Sequence, residues 1–167
     1  MGKLLDKAVG HPLRPLWLVM LTLGLRKGEA LALHWEDLDL EGGTVRVHRS
    51  LQRLRDADPD PITGTRRGRL VERQTTKTGE ESVLPLPAVL VTDLEEHRRT
   101  QLKERLASSV WVTPELVFTT RVGMALEPRN VSRAWAAICE AAGVPPVRVH
   151  DMRHTTASLL LEQGVAL

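Results

Sequence analysis

The chain has no tyrosine, one phenylalanine and one cysteine in 167 residues, and each scarcity narrows what it can be. A single cysteine, Cys139, cannot close an internal disulfide, so a secreted disulfide scaffold is excluded and a reducing cytoplasm is expected. No charged leader with an apolar core and a cleavage site opens the chain. The longest apolar run, Leu16 to Leu23, is broken by Thr22 and followed by Gly24, Arg26 and Lys27, far short of a bilayer span. With aromatic residues at 3%, the interleaved stacking platforms that grip single-stranded nucleic acid are not available, and double-stranded DNA phosphate is the better-suited partner.

What the chain does hold is arginine. Eighteen of its 23 basic residues are arginine, a side chain whose planar fork matches phosphate or carboxylate. The net charge is only +2, but it is unevenly spread. Between Thr44 and Gly79 nine basic residues face four acidic ones, a local +5, while the rest of the chain sums to −3. A solvated charged surface accounts for such a segment equally well; an electrostatic footprint for nucleic acid is the sharper reading.

The length fits one domain with a buried core. Pro15 followed by "LWLVMLTLGL" predicts a core helix ended by Gly24, and "RKGEALALHWEDLDL" a second, short helix. "EGGTVRVHRSLQRL" alternates with period two and predicts a strand. "DADPDPITGTRRG" reads as a loop, and "RLVERQTT" and "SVLPLP" as two further antiparallel strands joined through "KTGEE". From Ala88 to Leu106 the composition turns helical, with Leu90, Leu94, Leu102 and Leu106 at multiples of four. "NVSRAWAAICEAAGVPP" places Val131, Trp135, Ile138 and Ala142 on one helical stripe that stops at Gly143.

Three stretches carry candidate chemistry. In "VHDMRHTTASLLLEQG", His150 and Arg153 lie three apart, on one face near a helix N-terminus where free amides and the dipole favour phosphate. His154 follows His150 by four, so a zinc pair, and with it a metal-dependent hydrolase, has to be weighed; the expected third and fourth ligands are missing. Arg26 follows the Gly24 break between two apolar helices, with Glu29 three residues on to fix it, although a lone arginine there is more often a solvated cap. Lys77 sits in "TTKTGEE", where an exposed hairpin lysine is the ordinary fate.

Taken in order, G-L-R-x-G-E-x-x-x-L-x-W-x-D-L-D, then a lysine between strands, then H-D-M-R-H-T, the pattern resembles the catalytic domain of the tyrosine recombinases, the phage integrase family, from Leu16 through Gly164. The ordered match is far more specific than any one piece. The resemblance implies an α+β fold, mainly helical with a small three-stranded antiparallel sheet. It implies site-specific recombination or integration by strand cleavage and rejoining through a covalent phosphotyrosine link, with no metal or nucleotide cofactor. Arg26 and Arg153 would grip the scissile phosphate of double-stranded DNA, His150 would hydrogen-bond it, Lys77 would protonate the departing 5′ oxygen, and Glu29 would orient the arginine pocket. Arg46, Arg49, Arg73 and His154 are the expected further DNA contacts.

The family pattern continues past the H-x-x-R helix to a Gly-His or Gly-Trp motif and then the tyrosine, and it is preceded by a DNA-clamping domain. The expectation is therefore that residues 1–167 are a single, incomplete catalytic domain, inactive alone, from a full-length protein that works as a homo-oligomer on DNA. Leu159, Leu160, Leu161, Val165 and Leu167 are then expected to be partly exposed. The alternative is a remnant that binds DNA or a partner without cutting.

Overall fold

The structure is a computed structural model, and it describes residues 2–55, 68–74 and 82–145. In chain order it contains α1 (Gly2–Lys7), α2 (Arg14–Leu23), α3 (Lys27–Leu31) and a 3-10 turn (Trp35–Asp37). Strands β1 (Leu38–Asp39), β2 (Thr44–Val47), β3 (Arg49–Arg55), β4 (Gly68–Gln74) and β5 (Ser82–Pro85) follow, and then α4 (Ala88–Ala107) and α5 (Pro128–Ala141).

Helix α2 is the centre of the core, with Leu16, Trp17, Val19 and Met20 essentially without solvent contact. Its sequence is apolar on nearly all sides because α4 and α3 pack on it and Trp135 of α5 reaches it. Trp17 and Trp135 meet edge to face at 5.2 Å, a geometry that contributes about 1 kcal/mol beyond area burial. The helix ends at Gly24, whose φ of 64° is left-handed and cheap only for glycine, and this reversal sends Leu25 inward and Arg26 outward.

The expected three-stranded antiparallel sheet is present, but its strands are not the three read from the sequence. The stretch 44–55 is divided at His48 into β2 and β3. Strand β2 pairs antiparallel with β1 and with β5, giving one three-stranded sheet, while β3 pairs with β4 in a two-stranded ribbon. Gln74 lies opposite Arg49 and Ser82 opposite Val47. The chain between β4 and β5 therefore departs from and returns to positions only two residues apart along one neighbour.

Helix α4 forms where its composition predicts, but the buried face is not the expected leucine ladder. Leu90 and Leu94 are buried, whereas Leu102 is 48% and Leu106 88% exposed. A spacing of four overshoots the 3.6-residue turn, so the inward stripe drifts to His97 and Gln101. Gln101 accepts from Trp35 Nε1 (2.7 Å) and donates to the carbonyls of Leu116 (3.2 Å) and Val117 (2.9 Å). The outcome is a polar bolt joining α4, the 3-10 turn and the 116–119 segment.

The expected stripe of α5 is present. Val131 and Trp135 are buried and Ile138 and Ala142 half-buried, with Cys139 also inside. Among the described residues no helix is long and apolar enough to cross a membrane.

Candidate functional site

Arg26 stands at the N-terminus of α3 with extended backbone, φ −66° and ψ 147°. Glu29, one turn on, holds it twice: the Arg26 backbone N–H donates to Glu29 Oε2 at 2.8 Å and Arg26 Nη1 donates to Glu29 Oε1 at 3.0 Å. The carboxylate satisfies an amide that the helix leaves unpaired and neutralises part of the helix dipole. The Arg26 side chain nevertheless remains 62% exposed, against 12% for that of Glu29. Glu29 holds the fork through Nη1.

Two contacts hold this turn against its neighbours. Gly28 sits so close to β3 that a Cβ there would lie 2.5 Å from Ser50 Oγ and 3.0 Å from the Leu51 carbonyl oxygen. The "RKGE" spelling therefore requires glycine for packing. On the other flank Lys27 Nζ donates to Ser132 Oγ of α5 at 2.8 Å, and burial lowers the Lys27 pKa from its ordinary value.

Behind the turn lies a charged network. His34 N–H donates to Asp37 Oδ2 (3.0 Å), and the His34 ring to Glu72 Oε2 on β4 (2.9 Å). Arg49 donates through Nη1 to Asp37 (2.9 Å) and through Nη2 to Glu36 (2.7 Å), with Nε 3.6 Å from Glu72. His48 Nε2 is 2.9 Å from the other oxygen of Asp37. Asp37 is buried and its charge is met by all three partners, as an interior carboxylate requires. The Arg49 side chain is 18% exposed and committed to three carboxylates.

Of the residues singled out from the sequence, the structure therefore brings Arg26 and Glu29 into contact. It places Arg49 inside the network, and Arg46 and Arg73 on exposed strand positions. Lys77, His150, Arg153, His154 and the apolar positions from Leu159 to Leu167 lie outside the described residues. Gly28 and Asp37 stand in the quoted pattern, but sequence reasoning missed their packing and ion-pairing roles, and missed any role for Lys27, Glu36 and Glu72. A tight helix-on-strand approach leaves no local mark beyond a glycine, and His34 and Glu72 are 38 positions apart.

A model of the phage integrase family matches residues 3–167. A "Tyrosine recombinase XerC-like" protein of Caldanaerobacter subterraneus subsp. tengcongensis is 35% identical, over 99% of this chain and 42% of its own length. An integrase of Saccharopolyspora erythraea is 30% identical over 89% of this chain and 44% of its own. The chain thus spans under half the length of these relatives. Among solved structures, XerA recombinase superposes with a TM-score of 0.71 at 18% identity, covering 99% of this chain and 48% of the other. The Tn1549 transposon integrase in complex with circular intermediate DNA gives 0.74 at 16%, covering 99% and 53%. These likenesses show that the fold is the expected α+β one.

Proposed function

The chain belongs to the phage integrase family, and from that premise we propose that it forms the greater part of a catalytic core for site-specific cleavage and rejoining of double-stranded DNA. The observation that carries this reading is the Arg26–Glu29 pair: a guanidinium held through Nη1 on a side chain that stays largely exposed. Such a fork presents fixed donors to the non-bridging oxygens of a phosphate and stabilises the added charge of a pentacoordinate transition state without reorganising.

In this reading Arg153 completes the grip and His150 hydrogen-bonds the same phosphate. A tyrosine oxygen attacks phosphorus and gives up its proton, with His150 assisting that transfer; the bond to the 5′ oxygen breaks, and Lys77 supplies the proton that this oxygen takes up. The phosphodiester energy is kept in the phosphotyrosine ester, so no nucleotide cofactor is called for. Residues 1–167 contain no tyrosine, so the nucleophile would come from outside them. The same fact favours a second reading, in which these residues by themselves hold DNA without cutting it. Residues 1–167 are on this view a single, incomplete domain, acting in the cytoplasm and assembling with further copies on DNA.

Purified protein titrated with a short duplex at low and at physiological salt, beside an Arg26→Ala, Arg153→Ala variant, tests the reading. Salt-sensitive binding that the double substitution weakens supports it. Binding indifferent to both arginines contradicts it. Covalent capture of a nicked or intact duplex by the 167-residue chain would contradict the assignment of the nucleophile to tyrosine.

A further inference from the structure

The arginines of the β3–β4 ribbon are sorted by face. In an antiparallel pair, residues directly opposite share a face and alternate with the next pair. The register puts Arg49, Leu51 and Arg53 with Leu70, Glu72 and Gln74 on one face, and Ser50, Gln52 and Leu54 with Arg69, Val71 and Arg73 on the other. On the first face the positive charge is already used. Arg49 is bound to Glu36 and Asp37, with Glu72 beside it, and Arg53 Nη1 donates to Glu127 at the N-terminus of α5. On the second face Arg69 and Arg73 are exposed, and no carboxylate among the described residues meets either.

That second face is also tied to the Arg26 turn. Ser50, the cross-strand partner of Arg73, is the buried side chain against which Gly28 packs. Directly opposite residues have Cβ atoms about 5 Å apart. Arg73 therefore shares with Ser50 the ribbon face against which Gly28 packs, and Gly28 stands two residues on from Arg26. Arg69 lies four residues back along β4, about 13 Å at strand rise. Phosphates repeat about every 3.4 Å of axis along one DNA strand, so the two side chains reach separate phosphates.

We propose that the Arg69–Val71–Arg73 face is a backbone track that leads one DNA strand to Arg26, and that Arg49 and Arg53 take no part in it. This rests on the DNA-cleaving reading above and deepens it by naming which arginines touch the duplex and which hold the protein together. Because phosphate contacts position without specifying, the track acts alike on all sequences.

The test is the salt dependence of duplex binding by the 167-residue chain and by Arg69→Ala, Arg73→Ala and the double variant, with Arg53→Ala and Arg99→Ala as controls. Each track substitution is expected to reduce the slope of log K against log salt by about 0.9, and the pair by about twice that, independent of duplex sequence. The controls, one ion-paired on the opposite ribbon face and one on α4, are expected to leave the slope unchanged. Arg73→Lys keeps the charge and is expected to keep the slope. Wild-type binding with an undiminished slope in the track variants overturns the proposal and leaves the DNA reading standing. Wild-type protein that fails to bind duplex at low salt removes both.

Discussion

Glu29 accepts hydrogen bonds from both the backbone N–H and the guanidinium of Arg26, so one carboxylate caps a helix and aims an arginine. Replacing Glu29 by Ala removes a cap, which costs about 1 kcal/mol of stability. It also frees the Arg26 side chain to sample other rotamers. The expected result is a small fall in Tm together with a several-fold loss of duplex affinity, less than that of Arg26→Ala. An Arg26→Ala chain with unchanged affinity would sever the pair from DNA binding.

Gly28→Ala is expected to destabilise by about 1–3 kcal/mol, because the new methyl meets Ser50 Oγ and the Leu51 carbonyl at less than contact distance. Adding Ser50→Ala removes the nearer obstacle and leaves the backbone one. Denaturant titration of the single and double variants should therefore show partial recovery, whereas no recovery would place the strain elsewhere.

Arg49 and Arg53 are both ion-paired, but the physics separates them. Removing Arg49 leaves buried Asp37 short of its main cation and is expected to cost about 3 kcal/mol. Arg53, whose side chain is 47% exposed, is expected to cost under about 1 kcal/mol. Equal losses in chemical denaturation would refute this division of the ribbon's charge.

Burial lowers the pKa of His97, outweighing its hydrogen bond to the Val117 carbonyl and the charge of Glu104, and burial likewise lowers that of His11. A folded pKa below the unfolded value of 6.5 means that unfolding takes up protons in mild acid. The associated stability is complete above pH about 6.5 and is lost as pH falls through the lower folded value. Thermal melts from pH 7.5 downward should show Tm falling below that point, with a shallower fall in His97→Gln.

Local signals account for much of what the sequence made legible. Helices α2 and α5 were readable because proline, the apolar stripe and a terminal glycine agree within each segment. Helix α4 was readable as a helix but not in its orientation: its inward face is closed by His97 and Gln101, whose burial depends on carbonyls 15 to 20 positions away. Helix α1 and strand β1 are too short to carry a period. Arg49 looked like a DNA contact because it stands in a basic run, and only the fold reveals the three carboxylates around it. The Arg26–Glu29 pairing, three apart on one helix turn, was visible in advance for the opposite reason.

The most direct measurement follows the arginine side-chain Nε–H resonances of the 18.6 kDa chain by NMR as a short duplex is added. The resonances of Arg26, Arg69 and Arg73 are expected to shift together and saturate, while those of Arg49 and Arg53 stay where they are. Saturable binding in which the Arg26 resonance does not move would contradict the phosphate grip on which the proposed function stands.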